Sequence, residues 1–145
     1  MGRFIRQLLN DHPMNPFRRQ LDYGFKVDLE KVVDQFASYL RSNGWKVQSS
    51  VQGDRAVVQA QKGGILRDLI AADRALTFTM DQTQGKLTVR AGVGKWIQNI
   101  GVMALEVLLL SELFLFVDIP EMLWNEHVEK AVLAKLDEIV RSAGS

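Results

Sequence analysis

From Leu21 onward the hydrophobic period of the chain changes several times, and each change marks an element. Leu21, Tyr23, Phe25 and Val27 alternate with Asp22, Gly24 and Lys26, the period-two pattern of a half-buried strand. Asp28 has N-cap chemistry, and Leu29, Val32, Val33, Phe36 and Leu40 then recur at helical spacing until Asn43-Gly44 supplies a left-handed stop. Alternation returns at Trp45, Val47, Ser49 and Val51, and Gln52-Gly53-Asp54 turns the chain into a Val- and Gln-rich strand from Arg55 to Lys62, a hairpin. Residues 63–73 fit neither period. Leu76, Phe78 and Met80 alternate with Thr77, Thr79 and Asp81, and Gln82-Thr83-Gln84-Gly85 leads into Leu87, Val89 and Ala91, a second hairpin. The core expected from these patterns contains Leu29, Val33, Phe36, Leu40, Trp45, Phe78, Leu87 and Val89.

The remainder reads as helical in two parts. Lys95 to Val117 is apolar almost all round, and Asp118-Ile119-Pro120-Glu121 then combines a cap, an early proline and an acid at capping-box spacing. Trp124, Val128, Val132, Leu136 and Val140 form one stripe of the last helix, with Glu126–Lys130 and Asp137–Arg141 as i,i+4 pairs on its wet side. The order is therefore β-α-β-β-β-β-α-α. An amphipathic sheet needs one apolar layer over it, so the expected architecture is an α+β domain: an antiparallel sheet of about five strands with helices packed on one face.

The chain has 145 residues, which suits one domain. Residues 1–19 read as a basic amphipathic segment followed by the Pro-containing linker Asp11-His12-Pro13-Met14-Asn15-Pro16, and residues 20–145 as the single domain. The start has no uninterrupted apolar run and no small-residue cleavage site, so it does not read as a secretory signal. Arg6 stands where a myristoylation motif wants Ser or Thr after Gly2.

Composition excludes more than it proposes. With no Cys, and with His only at His12 and His127, a thiolate zinc site, a disulfide framework and a Cys nucleophile are impossible. The lack of disulfides favours the cytoplasm for a domain of this size. The net charge of +1 conceals an asymmetry: residues 1–95 carry 15 of the 18 Lys and Arg against 9 of the 17 acids, and residues 96–145 carry 3 against 8. Such a dipole suits either an anionic partner or attraction between the two halves within one fold.

Candidate chemistry is sparse. Ala91-Gly92-Val93-Gly94-Lys95-Trp96 resembles a phosphate-binding loop in context, but Val89 and Trp96 stand where that loop needs Gly and Ser or Thr, so two glycines turning a strand sharply into a helix explain the same residues. Glu106 and Glu112 lie in the apolar stretch about 120° apart around a helix and share no face. No nucleophile, metal set or oxyanion motif accompanies them, so no catalytic residue, metal or cofactor is expected.

Ile97 to Val117 is long enough to span a bilayer, yet the balance is close to zero. Its 13 Leu, Ile, Phe and Val residues favour insertion by about 6 kcal/mol in total, and two acids oppose it by about 5 to 7. Burial in protein or contact at an interface is the expected fate. A basic amphipathic start, with Arg3, Phe4, Arg6 and Leu8 and then Arg18 and Arg19 beyond the linker, suits an anionic membrane surface, and Leu113, Phe114 and Phe116 suit the same surface or a second protein. Arg3, Arg6, Arg18, Arg19, Lys26 and Arg41 accompany Phe4, Phe17 and Tyr23, but a pI near 8.0 without a clustered basic stripe argues against nucleic acid.

The sequence thus points to a non-catalytic interaction module. Its expected contacts are peripheral membrane or protein–protein, through the apolar C-terminal helices and the basic N-terminal segment. The alternatives are a soluble homo-oligomeric domain of unknown role and a weak nucleic-acid binder.

Overall fold

The computed structural model describes residues 19–62, 74–102, 105 and 131–144. Strands β1 (Arg19–Tyr23), β2 (Lys46–Gln52), β3 (Arg55–Gln61), β4 (Arg74–Thr83) and β5 (Lys86–Lys95) form one sheet in the order β1-β5-β4-β3-β2, antiparallel throughout. Helix α1 (Leu29–Ser42) follows β1 and helix α2 (Ala134–Gly144) ends the domain. The domain is α+β in the expected element order, with α1 and α2 on one face of the sheet.

Local chemistry sets the boundaries. The Asp28 carboxylate accepts from the Lys31 N–H, and Gly44 takes φ +88 just beyond the last turn, so α1 is capped at both ends as its residues require. In the β2–β3 hairpin Gly53 takes φ +61, and in the β4–β5 hairpin Gln84 and Gly85 both take positive φ, as a two-residue type I′ turn demands. β4 therefore runs on through Gln82 and Thr83, which pair with Leu87 and Lys86, rather than turning at Gln82.

The register sorts the side chains into two faces. On the helix side Val58 stands opposite Ser49 and Phe78, Phe78 opposite Ala91, and Val89 opposite Leu21. Val32, Val33, Phe36 and Leu40 of α1 and Leu136, Ile139 and Val140 of α2 close this core, with Phe36 edge-on to Phe78 at 5.0 Å between centroids. All eight residues expected in the core are buried.

Three expectations of the sequence fail here. The first strand ends at Tyr23 rather than continuing to Val27, because the Val27 N–H leaves the ladder and donates to the buried Gln82 Oε1 at 2.6 Å. Tyr23 and Val27 are still buried in the core, with Leu21 and Phe25 partly so. The second concerns Gly92 and Gly94. They do not turn a strand into a helix; β5 runs straight through them to Lys95, with Gly92 opposite Thr77 and Gly94 opposite Ala75. Lys95 to Asn99 is likewise not helical: it gives way to a 3-10 turn at Ile100–Val102, with Leu105 helical beyond it. Trp124, Val128 and the pair Glu126–Lys130 lie outside the described residues, whereas Val132, Leu136 and Val140 are buried and Arg141 pairs with Asp137.

Candidate interaction surface

The second face of the sheet is polar. Val57 and Ala75 are its apolar side chains among the described residues, set among Gln48, Gln52, Gln59, Gln61, Thr77 and Thr79. Such a face would ordinarily be left to water. Instead the chain leaving β5 returns across it, and glutamine amides hold it there.

Gln59 is completely buried and fills all four positions of its amide. Its Nε2 donates to the Lys95 carbonyl at 2.7 Å and to Thr77 Oγ1 at 3.1 Å. Its Oε1 accepts from the Ile97 N–H at 2.9 Å and from Gln48 Nε2 at 2.7 Å, and Gln48 also donates to the Ile97 carbonyl at 2.9 Å. Further along, Gln52 Oε1 accepts from the Leu105 N–H at 3.1 Å. Main-chain groups that a helix over 95–99 would need are thus taken by side chains of β2 and β3, which is why that helix does not start at Lys95. Ile97, Ile100 and Leu105 pack on Val57 in a small second cluster.

The first face carries its own polar tie. Tyr23 Oη donates to Asp137 at 2.7 Å, and Asp137 also accepts from Arg141 Nε at 3.0 Å, fastening α2 to β1. Burial, with the neighbouring Asp137 carboxylate as hydrogen-bond partner and like charge, holds the Tyr23 phenol well above its ordinary value; the Arg141 guanidinium, 5.4 Å from the ring centroid, opposes this. The arrangement is a clamp between elements, with its phenol held in the donor form.

Of the residues expected to make contacts, Arg19 falls in the description: it opens β1, opposite Ala91, one residue before the expected start of the domain. Arg3, Phe4, Arg6, Leu8, Arg18, Leu113, Phe114 and Phe116 lie outside the described residues, as do Glu106 and Glu112. Among the described residues no His, Cys, Asp and Glu group could hold a metal ion, and no helix is long and apolar enough to cross a membrane.

Sequence reasoning missed Gln48, Gln52 and Gln59. The available signal was Gln59 and Gln61 at alternate positions in a strand whose other residues after Arg55 are Val and Ala. Comparison with family models, with curated proteins and with solved structures finds no match to the chain.

Proposed function

We propose that this chain is a non-catalytic interaction module that meets a membrane surface or another protein through the apolar stretch following β5. The observation that carries this reading is where the stretch begins. α1 and α2 already fill the apolar face of the sheet, and Gln48, Gln52 and Gln59 hold Lys95, Ile97 and Leu105 on the polar face. The sheet offers Val57 and Ala75 there among the described residues, a poor match for a stretch with 13 Leu, Ile, Phe and Val residues between Ile97 and Val117. Apolar surface in such excess is stabilised by a partner. Leu113, Phe114 and Phe116 are the contacts proposed within it, and Arg3, Phe4, Arg6, Leu8, Arg18 and Arg19 the basic, amphipathic contribution of the N-terminal segment.

The test is the behaviour of the full chain without detergent. Flotation with liposomes, or an oligomer that dissociates on dilution, is expected. A dilute monomer that neither floats nor binds a hydrophobic dye would show that the fold covers the stretch unaided.

A further inference from the structure

The two edges of the sheet differ. β2, at one edge, runs unbroken opposite β3 from Lys46 to Gln52. Gln52 and Arg55 flank a two-residue turn and so exchange both hydrogen bonds; alternation along the ladder then gives Ser50, Gln48 and Lys46 their bonds to β3. Val47, Ser49 and Val51 therefore turn their N–H and C=O groups away from the sheet. Arg41 Nη2 reaches the Val47 carbonyl on that side at 3.4 Å, and the outward groups of Ser49 and Val51 have no hydrogen-bond partner among the described residues. Edge strands are ordinarily guarded by proline, a bulge or a charge in mid-strand. β2 has none of these, and its one charged residue, Lys46, stands at its end. β1, at the other edge, is shorter and carries Asp22 at one of its outward positions, Gln20 and Asp22.

α1 lies beside the β2 edge with its charges in order. Glu30 and Asp34 stand about three and two turns before Arg41 on one side of the helix, and all three are exposed. The opposite side faces α2, where Tyr39 donates to the Ala131 carbonyl and lies under Lys135. The chain reverses through Asn43–Trp45, so α1 runs antiparallel to β2. Arg41 is beside Val47, and Asp34 lies about 10 Å back along the helix. Val51 lies about 13 Å from Val47 along the strand, so the acids flank the Val51 end of β2 and the arginine its Val47 end. None of Glu30, Asp34 and Arg41 is in an ion pair among the described residues.

We infer that β2 pairs with β2 of a second copy of this chain, antiparallel about a twofold axis at Ser49, with Arg41 of each copy against Asp34 and Glu30 of the other. The strand suits that axis. Val47 stands opposite Val51 of the second copy and Ser49 opposite Ser49, each an outward position whose N–H and C=O meet an outward C=O and N–H. Lys46 meets Gln52, so no like charges oppose each other, and Gln48 meets Ser50 on the polar face. The same axis sets the two copies of α1 side by side in opposite directions, which brings each arginine to the acids of the other copy. A strand from another protein would find the same main-chain edge, but the order of charges on α1 and the match of β2 to its own reverse favour a second copy. This surface is separate from the apolar stretch of the proposed function and does not depend on it.

The experiment combines sedimentation with amide hydrogen exchange of the full chain over a range of concentrations. In the monomer the Ser49 and Val51 N–H groups face solvent, whereas in the dimer both are bonded, so their protection should rise with concentration. Gln20 and Asp22, outward on the other edge, should stay unprotected. Arg41→Glu turns two symmetric contacts from attraction to repulsion, each change worth about threefold at an exposed site, and should weaken the dimer about tenfold. Arg41→Glu/Asp34→Arg restores opposite charges and should return the dimer to near the wild-type affinity. Ser49→Pro removes an outward N–H but no ladder bond, and should abolish the concentration-dependent protection of Val51. Self-association that leaves Ser49 and Val51 exchanging freely overturns the β2 interface and leaves the apolar stretch as the route of association. Protection of these amides while the chain is monomeric shows that the chain covers its own edge, and also overturns the interface. An association that Arg41→Glu does not weaken overturns the stated geometry. A chain that is monomeric at every concentration overturns the dimer, while flotation with liposomes still decides the proposed function.

Discussion

The two faces of the sheet are covered by different physics. Over the first, α1 and α2 exclude water from Phe36, Phe78, Leu40 and Met80, all fully buried, and the covering layer is specified by periodicity and volume. Over the second, the returning chain rests on a few apolar contacts and on glutamine amides aimed at its main chain. An apolar face accepts any cover of the right shape, whereas an amide with its four positions filled accepts one path of the chain. The first arrangement supplies stability and the second supplies placement.

The largest effect should come from the first face. Phe36→Ala removes a fully buried ring that packs edge-on against Phe78, and should cost about 3 to 5 kcal/mol through lost transfer energy and a cavity. Chemical unfolding checks it: an unchanged midpoint would remove α1 from the core. Next comes Gln59→Leu, close to isosteric but unable to hydrogen-bond. It leaves the Lys95 carbonyl and the Ile97 N–H without the partner the amide supplies, while Gln48 keeps the Ile97 carbonyl, and unsatisfied buried groups of this kind cost about 1 to 3 kcal/mol each before water reaches them. A loss of about 2 to 3 kcal/mol by denaturant titration is expected. A variant as stable as the wild type would mean that the amide contributes nothing to the second face.

How far the sequence disclosed these two faces follows from the same difference. α1 was legible because apolar spacing, the Asp28 cap and the Gly44 stop agree with one another, and both hairpins because their turns carry Gly at positions needing positive φ. The second face was not. A glutamine in a strand looks the same whether it faces water or holds a main chain, and its partners lie 36 and 38 residues away. Gly92 and Gly94 misled for a related reason: absent side chains read as a turn, although here they extend a strand. The contacts proposed at Arg3 to Arg18 and Leu113 to Phe116 lie outside the described residues.

A smaller effect is expected where α2 is fastened to β1. Tyr23→Phe should cost about 1 to 2 kcal/mol near neutral pH, the range for a hydrogen bond to a charged acceptor that keeps some solvent contact. The variant should also change the alkaline limb. The folded phenol stays protonated while the unfolded one ionises near pH 10, so the stabilisation is complete below about pH 10 and falls above it by up to about 1.4 kcal/mol per pH unit. Removing Tyr23 should flatten that decline, and an identical decline in the variant would locate the alkaline sensitivity elsewhere. The smallest effect belongs to the helix start: Asp28→Ala removes a cap on the Lys31 N–H and should lower stability by about 1 kcal/mol, readable as a small fall in the melting temperature.

The most direct test of the contrast is native-state amide hydrogen exchange at Ile97, with Phe36 and Phe78 as references, in the wild type and in Gln59→Leu. If the amide holds the returning chain on a face that the apolar core does not stabilise, Ile97 should exchange through a local opening of lower free energy than the two references in the wild type. In Gln59→Leu it should lose most of its protection while Phe36 and Phe78 remain protected. Exchange of Ile97 with the same opening free energy as Phe78, in both forms, would contradict the account by making the two faces one cooperative unit.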